Sequence, residues 1–158
     1  MADVEIAELQ AADLALIRPL LRELMLEEQR HFDHPQLSPE EIEREIADAP
    51  RPRFNGENII LAARAAGKVI GLCWCVLFNP GTGLEAEVAE VYVDPAFRSK
   101  GIGGRLLRQA VEFFRVRNVT FAAVWTRENN PNAIRLYEEA GFRRTEQLVL
   151  TWLPLPGR

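Results

Sequence analysis

The stretch Val91–Leu107, VYVDPAFRSKGIGGRLL, constrains this chain more than any other. An apolar run ending at Val93 reads as a strand that meets Asp94-Pro95. A basic, glycine-rich turn follows, with Arg98, Lys100, Gly101, Gly103 and Gly104. The chain then becomes an amphipathic helix, with Ile102, Leu106, Ala110, Phe113 and Phe114 on one face. A strand, turn and helix of this composition point backbone N–H groups and a helix N-terminus at one place, which is how proteins hold phosphate. A plain strand-to-helix turn explains one glycine through positive φ, but not three beside Arg98 and Lys100.

Two phosphate-binding patterns are excluded by spacing. No G-x-x-x-x-G-K-[ST] string occurs. A dinucleotide fingerprint needs G-x-G-x-x-G, whereas Gly101-Ile102-Gly103 continues with Gly104, Arg105 and Leu106, so the third glycine is missing. The strand is also late in the chain and preceded by a hairpin, unlike a leading βαβ unit.

The preceding sequence supplies the other elements. Val4–Leu9 alternates as a half-buried strand. Asp13 is placed to cap a helix in which Leu14, Ile17, Leu20, Leu21 and Leu24 recur at helical spacing, and Pro19 predicts a kink or break within it. Gln29–Leu37 reads as a loop. Ser38-Pro39-Glu40-Glu41 predicts a capping box opening a second helix with Ile42 and Ile46 inward, ended by Pro50 and Pro52. Asn58–Ala65 and Val69–Phe78 form a hairpin around Ala66-Gly67-Lys68, and Asn79–Gly83 is a loop before a strand over Glu85–Val93. After the glycine turn and its helix come a strand over Val119–Trp125, a helix opened by Asn130-Pro131 and closed by Gly141, and closing strands over Phe142–Arg144 and Gln147–Leu153. The order β-α-α-β-β-β-α-β-α-β-β is a mixed α/β domain with helices on both sides of one sheet.

Composition adds limits. A chain of 158 residues with 47% hydrophobic and 27% charged residues suits one domain, 1–158. A net charge of -4 argues against nucleic-acid binding. The N-terminus lacks a signal-peptide pattern and no run approaches a membrane span, so the expectation is a cytoplasmic protein with no membrane partner. Cys73 and Cys75 lie in an apolar run, two apart on one strand face, and read as buried core thiols. No Cys or His pattern completes a metal site.

What remains, Arg98-x-x-Gly101-x-Gly103 directly after a strand, resembles the acyl-CoA loop R/Q-x-x-G-x-G/A of the GCN5-related N-acetyltransferase (GNAT) family. A second stretch, NNPNAIRLYEEAGF from Asn129 to Phe142, extends the likeness. The resemblance implies a GNAT-like α/β fold. Its central sheet is mixed, mostly antiparallel, flanked by helices on both faces and splayed between the fourth and fifth strands. It implies acetyl-CoA as co-substrate with no metal. Arg98, Ser99, Lys100, Gly101, Ile102 and Gly103 would hold the pyrophosphate, with Gly104 and Arg105 extending the contact. Val91, Tyr92 and Val93 would pair the pantetheine arm through their backbone, as an added strand; their side chains fit a core strand equally well.

The implied reaction is direct transfer of an acetyl group to a primary amine in a ternary complex, with no cysteine placed to carry the group. The acceptor is a small-molecule or protein amine, and the family also leaves room for a homodimer. The rival is a non-catalytic acyl-CoA-binding sensor or scaffold. An amine with a pKa of about 10.4 must lose about 4 to 5 kcal/mol worth of protonation before it attacks at neutral pH, so a general base is useful. By resemblance Tyr137 is the acid for the departing thiolate. Asn130 matches a cofactor-contacting position and serves equally well as a helix N-cap. For the base there are two candidates on one strand, Glu87 and Glu90, which face opposite ways unless a bulge intervenes. Some ribosomal-protein members use a glutamate on the next strand, where this chain has Trp125. The acceptor side falls around Glu27, Glu28, His31, Phe32, Asp33 and His34, with Glu28, His31 and Phe32 as the binding candidates.

Overall fold

The computed structural model describes residues 4–28, 37–47, 56–79 and 83–147. Among the described residues five strands form one sheet in sequence order: β1 (Glu5–Glu8), β2 (Glu57–Ala65), β3 (Lys68–Phe78), β4 (Glu85–Val93) and β5 (Phe121–Val124). The first three junctions are antiparallel, and β4 pairs with β5 in parallel. The helices are α1 (Arg18–Glu28), α2 (Pro39–Ile46), α3 (Ile102–Val116) and α4 (Pro131–Glu139).

The central strands are buried on both faces, which is why β2 reads as a near-continuous apolar run rather than an alternation. Ile59, Leu61 and Ala63 of β2 turn to one side, with Cys73, Cys75, Leu106, Leu107, Ala110 and Phe114. Ile60 and Ala62 turn to the other, with Leu72, Tyr92, Leu20, Leu21, Leu24 and Ile46. Thus α3 covers one face of the sheet and α1 with α2 covers the other. The two cysteines are buried and unbridged on the α3 face, with sulfurs 3.7 Å apart.

Local chemistry accounts for the element boundaries. The β2–β3 turn places Ala66 at φ 50 and Gly67 at φ 77, the left-handed pair that suits the twist of a two-residue hairpin. Ser38 and Glu41 exchange side-chain-to-backbone bonds of 3.2 and 2.7 Å, so the expected capping box opens α2. Pro19 marks a break: residues Ala11–Ile17 form a 3-10 helix, and α1 begins at Arg18 with Pro19 in its first turn, where a missing N–H costs nothing.

Three expectations are corrected. Asp13 is not a cap; the cap position is Gln10, and Asp13 instead pairs with Arg64 at 3.1 Å. The strand expected over Val119–Trp125 is confined to Phe121–Val124, because Val119 N–H closes back onto Phe114 at the end of α3. Phe142–Arg144 does not form a strand. The α4 C-terminus consumes these residues: Gly141 takes φ 99, its N–H donates to Glu138, and Phe142 N–H donates to Tyr137. That is a Schellman ending, and it holds the chain in a turn. Residues 148–153 of the last expected strand, and Pro50 and Pro52, lie outside the described residues.

One irregularity positions the site. On β4, Glu90 lies opposite Trp74 and Val88 opposite Cys75, which leaves Ala89 as an extra residue. The β4–β5 ladder runs only from Glu85–Val88 against Phe121–Val124. Bulge and splay therefore start at the same residue. A bulge bends its strand and raises the local twist, which turns β4 away from β5. Beyond Val88 the ladder between β4 and β5 does not continue, so toward Val93 the two strands part.

Candidate active site

The open β4 edge leads directly into the glycine turn. Asp94 stops the strand: its N–H still donates to Ile70, and its side chain accepts from Ala96 N–H at 2.9 Å. Pro95–Phe97 form one 3-10 turn, which Arg98 N–H closes onto Pro95 at 3.3 Å. The chain then reverses through two left-handed residues, Ser99 at φ 59 and Gly101 at φ 73. A Cβ on Gly101 would meet nothing within 4 Å, so that glycine is there for its conformation and not for space.

The consequence is a row of donors. In α3 the first amide with a partner is Arg105, bonded to Gly101 at 3.1 Å. The N–H groups of Ser99, Lys100, Gly101, Ile102, Gly103 and Gly104 have no acceptor among the described residues. Successive amides of this kind at a helix N-terminus form an anion cradle. Gly103 brings α3 close to α4: a Cβ there would lie 3.4 Å from Leu136. The side chains of the turn are used elsewhere. Lys100 folds back to Ala96 at 3.3 Å, over the Phe97 ring, and Arg105 donates to the Val4 carbonyl at 2.8 Å.

Arg98 is the surprise of the loop. Its two terminal nitrogens grip both oxygens of Glu27 on α1, at 2.9 and 2.7 Å, while Nε donates to the Val93 carbonyl at 2.8 Å. The guanidinium lies 5.1 Å over the Tyr92 ring, and the Tyr92 hydroxyl donates to Glu27 at 3.4 Å. Burial, with the nearby Glu27 carboxylate, raises the Tyr92 phenol above its ordinary value.

Tyr137 sits on α4 against the same cluster as Val91, Val93 and Val124. The Schellman turn folds Phe142 back edge-on to its ring, centroids 6.2 Å apart. Burial first, then the Cys73 thiol and the Glu90 carboxylate, push its hydroxyl up to about 12. At neutral pH it stays protonated. Asn130 caps α4, its side-chain oxygen accepting from Ala133 N–H at 3.2 Å; the cap leaves its amide nitrogen unused.

The bulge settles the orientation of the two glutamates. Glu87 lies opposite Val76 and Glu90 opposite Trp74, and those partners are two apart on β3. Glu87 and Glu90 therefore share one face, the one covered by α1 and α2, where an unbroken strand would have opposed them. Trp74 on that face donates to Asn58 at 2.7 Å. Trp125, 55% exposed, follows the last residue of β5 where the strands part. Glu28 ends α1; His31, Phe32, Asp33 and His34 lie outside the described residues.

Sequence reasoning missed that Glu27 pairs with Arg98, since nothing local links positions 71 apart. A shallow depression between β1 and α3, lined by Val4, Glu5, Ile6, Arg105, Arg108 and Gln109, takes in neither Tyr137 nor the glutamates and is not this site. Among the described residues no cluster of three or more His, Cys, Asp or Glu could hold a metal, and no helix is long and apolar enough to cross a membrane.

Comparison with known proteins bears on the whole arrangement. Residues 19–142 match the sequence pattern of the acetyltransferase (GNAT) family. The chain is 31% identical over 124 residues to a mycothiol acetyltransferase of Thermobispora bispora, a match covering 77% of this chain and 42% of that one. It is 35% identical over 106 residues to the N-alpha-acetyltransferase RimI of Mycobacterium tuberculosis, covering 63% and 65%. The match thus spans less than half of the first relative's length and just under two thirds of the second's. Among solved structures, an integron cassette protein from the mobile metagenome of V. cholerae superposes with a TM-score of 0.75 at 19% identity, over 99% of this chain and 95% of that one. That likeness is one of fold.

Proposed function

The chain belongs to the acetyltransferase (GNAT) family, and on that premise we propose that it transfers an acetyl group from acetyl-CoA to a primary amine, as one domain over residues 1–158. The observation that carries the reading is the continuity of the open β4 edge with the row of unbonded amides from Ser99 to Gly104. A ligand with a peptide-like arm and a pyrophosphate fits that line: the arm pairs with Val91–Val93 as an added strand, and the amides receive the phosphates. Lys100 contributes its backbone N–H there, while Arg98 and Arg105, whose amides and side chains are bonded elsewhere, contribute position.

The thioester end of such a ligand falls at the splay, where Tyr137 approaches from the α4 side. The amine comes from the opposite face, toward which Glu87 and Glu90 are turned. One of these carboxylates takes the amine proton, directly or through water. The nitrogen attacks the acetyl carbon, the C–N bond forms as the C–S bond breaks, and the Tyr137 hydroxyl donates its proton to the departing thiolate. One relative named above is called an N-alpha-acetyltransferase, which supports an amine acceptor for this chain too. Glu28, His31 and Phe32 are the proposed acceptor contacts.

The test is CoA release across a panel of amines (amino acids, polyamines, peptides with free N-termini, aminosugars), with wild type and Tyr137→Phe. Turnover on at least one amine and a loss of roughly a hundredfold in kcat for the variant are expected. CoA that stabilises the protein while no amine is acetylated would instead indicate a non-catalytic acyl-CoA-binding module.

A further inference from the structure

We propose that Arg98 and Glu27 form a strut that couples the donor loop to α1, so that filling the donor site tightens the last turn of the helix leading to the acceptor side. In this assignment Arg98 is a positioning residue and its guanidinium is not a phosphate ligand. The inference rests on the donor reading given above.

The geometry is that of a committed side chain. Three of the five guanidinium N–H donors are used, one on Val93 and two in a parallel fork on Glu27. Stacking on Tyr92 fixes the plane of the fork, and the Tyr92 hydroxyl holds the same carboxylate from the side. The pair is partly withdrawn from water, with side-chain exposures of 40% and 35%, so solvent screens it less than a rim contact. Its charge is neutralised by Glu27, which leaves the amides of Ser99–Gly104 to meet a phosphate.

Position gives the pair its consequence. Arg98 opens the loop that carries those amides, and its Nε partner, Val93, ends the open β4 edge. Both donor-binding segments are thus tied through one side chain to Glu27, next to the end of α1 at Glu28. Settling the loop around a ligand restrains Arg98 and, through the fork, the last turn of α1. By linkage an acceptor that orders α1 tightens the donor in return.

Hydrogen exchange of the full chain, with and without CoA, tests this. In wild type CoA is expected to slow exchange in two places, the loop at 99–105 and the last turn of α1 at Leu24–Glu28. In Glu27→Gln and in Arg98→Gln it should slow the loop alone. The affinity of Arg98→Gln for CoA should change by less than about fivefold, the worth of a half-exposed pair. A guanidinium on the pyrophosphate would cost about tenfold or more on removal, and that outcome overturns the assignment. So does an α1 whose exchange ignores CoA in wild type, or keeps its response in either variant. If CoA protects no segment at all, the donor reading itself fails and the strut with it.

Discussion

Burial decides what Tyr137 can do. With its hydroxyl raised to about 12 from an ordinary value of 10, the side chain stays protonated across the working range, as the proposed acid role requires. The sign follows: the fold favours the protonated form, so the contribution to stability is full below pH 10 and is lost as pH rises through about 12. The rate on an amine should therefore climb with pH as the acceptor loses its proton, with no decline from Tyr137 below about pH 10; a pH–rate profile measures this. The loop glycines separate by cause. Gly101→Ala forces a left-handed alanine and should lower stability by about 1 kcal/mol, or roughly 2 to 4 °C in Tm. Gly103→Ala puts its new methyl at ordinary contact with Leu136 within a helix, so thermal melting should show no loss.

Elements show where local sequence is a sufficient guide and where it is not. The capping box at Ser38, the cap at Asn130 and the glycine stop at Gly141 are legible because each depends on residues within one turn. The hairpin is legible from Gly67 alone, although Ala66 occupies a left-handed site that asparagine fills at less cost. Ala66→Asn should raise stability by about half a kcal/mol, seen as a small rise in Tm. The bulge at Ala89 is not legible. Alanine carries no bulge signal, and only the β3 register reveals that Glu87 and Glu90 share a face. Phe142 has the apolar character of a strand residue, but its side chain seals the end of α4 against Tyr137 instead. Arg98 is legible as part of the donor loop, whereas its fork on Glu27 arises only when α1 packs across the sheet.

Across the whole molecule, the sheet separates the two halves of the proposed reaction by face. The α3 and α4 side carries Tyr137, the proposed acid, and the α1 and α2 side carries Glu87 and Glu90, the proposed bases. The splay is the opening between them. The proposed donor half is built from backbone, so its loop can be read from the amino-acid sequence through the family pattern. The proposed acceptor half draws on segments far apart in the chain, Glu87 and Glu90 on β4 and Glu28 at the end of α1, and no local pattern announces them. The central claim is that the turn after β4 receives acetyl-CoA. Calorimetric titration of acetyl-CoA into the wild type and Gly101→Ala tests it most directly. Saturable one-site binding by the wild type, weakened about fivefold in the variant, where alanine resists the left-handed turn that aims the amides, is the predicted result. No binding heat at several temperatures, together with no CoA-induced rise in Tm, would contradict it.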